Sequence, residues 1–162
     1  MLNYLIPTDG SDVSLDAVRH GLRLARAGLK LSVTLAHVRD PVHLYEVLLS
    51  RDMEVVENAS QAAAEHALQP AVELLKAAGV PCRCETVTGD PAHELTTLAE
   101  RCGCDGILLS TAGAGWLSND RIGRVANAVL HHATVPVTLV RRVDLQDEVD
   151  DADDAEGEDA AA

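Results

Sequence analysis

Short apolar segments alternate along this chain with longer segments in which apolar residues recur at helical spacing. Turn residues bound each apolar segment, as is typical of strands that are buried in a sheet. The predicted strands are Leu2–Pro7, Leu29–Val38, Cys82–Thr88, Gly106–Ser110 and Pro136–Arg141. Repeated strand–helix units with short connections predict an α/β domain built on one open parallel sheet with right-handed crossovers.

The segments between the strands are predicted helices, and most of them end at a glycine. They cover residues 13–27, 53–78, 92–101 and 121–132. Ser11 or Asp12 is expected to cap the first helix. Pro70 should kink or restart the second helix, because proline has no N–H to donate. Residues 41–55 fit either an irregular loop or a short helix.

The charge of the chain is unevenly distributed. The net charge of the 162 residues is −13, but residues 144–162 carry ten acidic side chains and no basic one. The first 143 residues are therefore close to neutral and form one predicted domain. Dense like charge with little hydrophobicity predicts a disordered acidic C-terminal tail over residues 144–162. Neither part is basic, so a nucleic-acid partner is not expected.

The amino terminus leads directly into a predicted strand and lacks the basic region of a signal peptide. No apolar run approaches the roughly 20 residues that a helix needs to span a bilayer. We therefore expect a cytoplasmic protein without a membrane partner, whose cysteines stay reduced.

A glycine-rich loop, residues 110–125, connects the fourth predicted strand to the fourth helix. In an open α/β sheet, ligands bind beyond the carboxyl ends of the strands where the strand order reverses. Asp9, after the first strand, would border the same crevice if strands 1 and 4 are neighbours. A structural turn explains the loop equally well, since glycine-rich turns are common. For Asp9 alone, a turn-forming aspartate in T-D-G-S is the better explanation.

Four segments, in this order, resemble the universal stress protein family of the single-domain bacterial kind. They are P-T-D-G-S after the first strand, A-H-V at the end of the second, G-D-P-A-H-E-L at the third helix, and G-x9-G before A-T-V-P-V-T-L-V. The resemblance covers residues 1 to about 143. It implies a five-stranded parallel sheet of order 3-2-1-4-5 with helices on both faces, a fold of the HUP or adenine nucleotide alpha hydrolase-like class. It also implies a homodimer through the last strand, at Val137, Thr138, Leu139 and Val140.

Some members of that family bind ATP through the pattern Gly-x2-Gly-x9-Gly-Ser/Thr. Carried onto this chain, the pattern falls on Ser110, Gly113, Gly123 and Arg124, so its second and third positions match and the other two differ. Ser110 adds a side chain where glycine allows close approach, together with a hydroxyl that can donate a hydrogen bond. Arg124 can either pair with a phosphate or occupy its place.

The same resemblance implies the remaining contacts of a nucleotide. Asp9 would meet the adenosine, and Val38 would meet adenine through its backbone. Pro7 and Thr8 would line that pocket, and Val125 would follow the phosphate-binding turn.

The cysteines form two C-x-C pairs, Cys82 with Cys84 and Cys102 with Cys104. Zinc sites more often use C-x2-C, and their four thiolates must converge on one ion. In the implied strand order the pairs lie three strand spacings apart, about 14 Å, so we expect no metal site.

Two functions remain open. The first is a dimeric stress-response module that binds ATP in the crevice between strands 1 and 4 and is not an enzyme. The second is the same fold without a nucleotide, acting only through protein–protein interaction. An adenylating enzyme of a related fold is disfavoured, because its phosphate motif would lie after the first strand, where this chain has the short acidic T-D-G-S-D.

Overall fold

In the part of the chain that the structure describes, a parallel five-stranded sheet is covered by two helices on each face. The computed structural model describes residues 1–39, 53–111 and 123–141. The strands are β1 (Leu2–Pro7), β2 (Leu31–Arg39), β3 (Cys82–Thr88), β4 (Gly106–Thr111) and β5 (Val137–Arg141). The helices are α1 (Leu15–Arg26), α2 (Met53–Ala77), α3 (Pro91–Arg101) and α4 (Arg124–His132).

The strands are ordered β3-β2-β1-β4-β5, and every pairing is parallel. The expected fold class is thereby confirmed. From β1 the chain builds outwards to β2 and β3, then returns to pair β4 with the other side of β1. Because the crossovers of the two halves run in opposite directions with the same hand, their helices cover opposite faces. The strand order therefore reverses between β1 and β4, in the middle of the sheet.

Each face of the sheet has its own hydrophobic core. One core joins α1 and α2 to the sheet through residues such as Val18, Leu35 and Leu75, and the other joins α3 and α4 to it through Leu95 and Val129. Small and branched side chains fill both cores, as suits parallel strands that are buried on both faces. Among the described residues, no helix is both long and apolar enough to cross a membrane.

Several element boundaries differ from the prediction. Strand β2 begins at Leu31, because the N–H of Leu29 still closes the end of α1 by donating to the carbonyl of Leu24 at 3.1 Å. The expected restart at Pro70 is wrong, since α2 runs through that residue as one helix. Leu68 and Ala71 are buried on either side of Pro70 and hold both parts of the helix on the core.

The cysteine pairs lie on opposite faces of the sheet. Cys82 packs against the core under α1 and α2, whereas Cys102 and Cys104 belong to the core under α3 and α4. The sheet itself thus separates the two pairs, which adds to the separation expected from the strand order.

Part of the predicted organisation lies outside the described residues. This holds for residues 41–52, for the loop from 112 to 122 with Gly113, and for the tail from 144 to 162. For these residues, the sequence-based expectations remain predictions.

Candidate functional site

A cavity of ≈ 420 Å³ lies beyond the carboxyl ends of β1, β2 and β4, at the reversal of the strand order. Its volume is within the range of small-molecule sites. Six residues of the predicted site line it, namely Pro7, Thr8, Asp9, Val38, Ser110 and Val125. Gly123 and Arg124 lie just before the part of α4 that reaches the cavity, and Gly113 is outside the described residues.

The cavity also includes residues to which sequence reasoning assigned no ligand contact. Ser11, Val13, Ser14 and His37 belong to its wall near α1 and β2, and Pro91 and Leu95 reach it from α3. The A-H-V and G-D-P-A-H-E-L segments contain His37, Pro91 and Leu95, so the motifs themselves were the available signal. Ser11 gave only a helix-capping signal, and Ser14 gave none.

One side of the cavity is apolar and one side is polar. Val38, Leu95 and Ala126 line it from β2, α3 and α4, while Asp9 and Ser11 lie on the loop after β1. Such a cavity suits a ligand with an apolar part and with hydrogen-bond donors at one end.

Backbone hydrogen bonds and a glycine fix the loop after β1. The N–H of Thr8 continues the sheet by donating to the carbonyl of Ala36 at 2.9 Å. Gly10 adopts a positive φ of 84°, and a Cβ there would lie 3.0 Å from the Cα of Ala67 in α2. Only glycine combines this conformation with so close an approach. The loop is therefore held between β2 and α2.

Asp9 is fixed within this loop as a carboxylate. Its Oδ1 accepts a hydrogen bond from the N–H of Ser11 at 2.9 Å. Partial burial acts to raise the pKa of the Asp9 carboxyl, but hydrogen bonds from Ser11 are the main cause that lowers the pKa below its ordinary value. Asp9 thus presents a negative charge at neutral pH.

His37 supports the loop from β2. Its Nδ1 lies 2.9 Å from the carbonyl oxygen of Thr8. A carbonyl oxygen can only accept, so Nδ1 carries the proton. The imidazole therefore secures the backbone immediately before Asp9.

The start of α1 differs from the prediction. The helix begins at Leu15, and its N-cap residue, Ser14, forms no side-chain capping bond. The expected caps, Ser11 and Asp12, lie one turn earlier, and the Oγ of Ser11 accepts from the N–H of Ser14 at 3.1 Å. That part of the prediction is wrong, because the chain makes one further turn before the helix begins.

Hydroxyl groups connect this turn to the strands. Thr8 Oγ1 lies 2.9 Å from Ser14 Oγ, which itself donates to the carbonyl of Ser11 at 2.8 Å. From β4, Ser110 Oγ accepts from the N–H of Ala17 at 2.9 Å and donates to the carbonyl of Ser14 at 3.1 Å. The wall of the cavity near α1 is therefore bonded to both β1 and β4.

The other end of the cavity is the start of α4. Gly123 is its N-cap residue and has no side chain to satisfy the first N–H groups, and the first turn contains no acidic residue. Arg124 is exposed and forms no ion pair with any carboxylate of the described residues. Val125 is 37% exposed. Free N–H groups and the helix dipole favour an anion at such an end.

Comparisons with known proteins agree with this geometry. A model of the universal stress protein family matches residues 2–141. A universal stress protein of Methanocaldococcus jannaschii is 30% identical over 138 residues, which cover 85% of this chain and 81% of that protein.

Solved structures show the same arrangement of helices and strands. A universal stress protein in complex with cAMP superposes with a TM-score of 0.62 at 25% identity, over 86% of this chain and 96% of the other. A family protein of Arabidopsis thaliana with AMP bound superposes with a TM-score of 0.66 over 98% of this chain and 97% of the other. The latter is 18% identical, so its similarity concerns the fold.

Proposed function

This chain belongs to the universal stress protein family, and we propose that it binds an adenine nucleotide in the cavity between β1 and β4. The observation that carries the proposal is the cavity itself. It combines an apolar side, a fixed carboxylate and an uncapped helix start around one space at the reversal of the strand order.

The three parts of a nucleotide fit three parts of this cavity. The base would lie between Val38 and Leu95, where apolar surface is available. Asp9 would accept hydrogen bonds from the ribose hydroxyls. The phosphates would lie at the start of α4, where Gly123 and Arg124 offer N–H groups and a positive charge. The complexes of two structural neighbours with cAMP and AMP support this class of ligand.

ATP is the nucleotide that we propose, because Arg124 adds a cation where a longer phosphate chain would extend. We propose binding without turnover. Of the described residues at this end of the cavity, Gly123 to Ala126, none is a carboxylate or a histidine that would serve as a general base for hydrolysis.

We also propose that β5 forms the contact between two copies of the chain. It is an edge of the sheet, with Val137 and Leu139 half-buried and Thr138 exposed. No charged side chain interrupts it before Arg141. Open apolar edges require a cover or a partner, and a second copy provides one.

Titration calorimetry with adenosine, AMP, cAMP and ATP tests the nucleotide proposal. Val125→Phe would fill the mouth of the cavity, whereas Asn127→Phe adds the same ring to an exposed position of α4 that does not line it. We expect the wild type and Asn127→Phe to bind ATP, and Val125→Phe to bind at least about tenfold more weakly, a loss of about 1.4 kcal/mol.

The absence of binding heat at millimolar nucleotide, without any rise in the unfolding temperature, would refute the proposal. The chain would then act through protein contacts alone, as in the nucleotide-free alternative.

A further inference from the structure

The side chain of Ser110 forms hydrogen bonds to the start of α1, although the family pattern places this position at the nucleotide phosphates. It is the last residue of β4 to line the cavity, and the nucleotide pattern has glycine at this position. Its hydroxyl accepts from the N–H of Ala17 at 2.9 Å and donates to the carbonyl of Ser14 at 3.1 Å. One side chain thus bonds two backbone groups of a helix that lies 93 residues away in the sequence.

Ala17 is the third residue of α1, and its N–H is one of the groups that a helix cannot satisfy by itself. An N-cap side chain normally accepts from this position. Ser14, the N-cap residue here, forms no such bond, and the N–H groups of Leu15 and Asp16 bond to carbonyls of the preceding turn. Ser110 therefore supplies from β4 the cap that the start of α1 lacks.

The same bonds fix one wall of the cavity. The turn and first residues of α1 contribute Ser11, Val13 and Ser14 to the lining. Ser14 is bonded to Thr8, which directly follows β1, and to Ser110 of β4, and the cavity opens between these two strands. With glycine at position 110, only the hydrogen bond between Thr8 and Ser14 would remain of these two.

We propose that Ser110 is a positioning residue, which clamps the start of α1 to β4 and so holds the nucleoside-binding wall in place. It does not donate a hydrogen bond to a phosphate, because its one proton is already donated to Ser14. The effect on ligand affinity rests on the proposed function, whereas the clamp itself does not.

Amide hydrogen exchange of the ligand-free protein tests the clamp. Ser110→Ala removes only the hydroxyl and Ser110→Gly restores the family residue, whereas Ser110→Thr keeps a hydroxyl at the same position. We expect the Ala17 amide to exchange faster in Ser110→Ala and Ser110→Gly, by about tenfold, and to stay protected in Ser110→Thr. The amide of Val129 in α4 is the reference, and its protection should not change.

Affinities for adenosine and ATP test what the clamp does for the site. Because the clamped wall faces the nucleoside, Ser110→Ala and Ser110→Gly should lower the affinities for adenosine and for ATP by the same factor. Ser110→Thr should keep both affinities close to those of the wild type. A residue that contacts phosphate would instead change the affinity for ATP alone.

Unchanged exchange at Ala17 in Ser110→Ala would overturn the clamp. Faster exchange with unchanged affinities would overturn its role in binding, as would tighter ATP binding by Ser110→Gly. If the wild type bound neither adenosine nor ATP, the proposed function would fail, and the exchange rates would still decide whether the clamp exists.

Discussion

At the scale of single residues, the site consists of side chains that first stabilise the loop after β1 and the start of α1. His37 and Thr8 hold the loop that follows β1, and Ser110 holds the start of α1. Asp9 lines the cavity with a negative charge, and Arg124 lies beside it with a positive one. These two side chains therefore give the most informative single substitutions.

Asp9 should make the stability of the protein depend on pH in the acidic range. Its folded-state pKa is lowered from 3.8, so the unfolded chain takes up a proton first as the pH falls. The contribution of Asp9 is complete above the unfolded value and is lost as the pH falls through the folded one. We expect the urea midpoint of the wild type to fall more steeply than that of Asp9→Asn between about pH 5 and about pH 3. Parallel curves would show that the carboxylate is not stabilised by the loop.

Arg124 should distinguish nucleotides by their phosphates. If its guanidinium pairs with phosphate, Arg124→Gln lowers the affinity for ATP by about tenfold, because a charge-assisted hydrogen bond is lost. The affinity for adenosine stays unchanged. Arg26→Gln, at the exposed far end of α1, is the matched control. Tighter binding of ATP by Arg124→Gln in calorimetry would mean that the arginine occupies the phosphate position instead.

At the scale of elements, the alternation of apolar and amphipathic segments predicts every described strand and helix to within three residues at each end. The errors have local causes. Hydrogen bonds at the end of α1 delay β2, and an additional turn delays α1 itself. Core packing on both sides of Pro70 keeps α2 continuous, which is a tertiary effect that helix propensity does not contain.

The edge strand β5 should be sensitive to charge. If two copies pair through β5 about a twofold axis, residues near its centre face their own equivalents. Thr138→Lys then places like charges opposite each other and should give a monomer in sedimentation velocity. Thr138→Gln, of similar size and without charge, should remain dimeric. A dimer that is unchanged by the lysine would exclude this strand as the interface.

At the scale of the whole molecule, the position of the site follows from the order of the strands. Reversal between β1 and β4 brings the loop after β1 to the loop after β4, so the crevice could be predicted once the strand order was implied. The hydrogen bonds from Ser110 to the start of α1 could not be predicted, because they depend on the position of β4 relative to α1. Nothing in the local sequence around either residue indicates that contact.

The acidic residues 144–162 should oppose the binding of polyanions. Strand β5 ends at Arg141, which is paired to Thr111, the residue that follows Ser110 of the cavity, so the end of the strand lies beside the site. Ten negative charges follow within residues 144–162. Deleting these residues should raise the affinity for ATP, measured by calorimetry at low salt, and leave the affinity for adenosine unchanged. At about 0.5 M salt, the full chain and the deletion variant should bind ATP equally well.

A tail of the same length with Asn and Gln in place of its acidic residues is the control, and it should behave like the deletion. Equal affinity for ATP with and without the acidic residues would contradict this effect of charge.

The central claim concerns where a nucleotide binds, and an amide chemical-shift titration with AMP tests it most directly. We predict that shifts concentrate at Thr8, Asp9, Val38 and Val125, which surround the cavity at the carboxyl ends of the strands. Saturation of these shifts at one common affinity would place AMP there. The absence of shifts, or shifts confined to Asn3 and Arg83 at the opposite ends of the strands, would contradict the account.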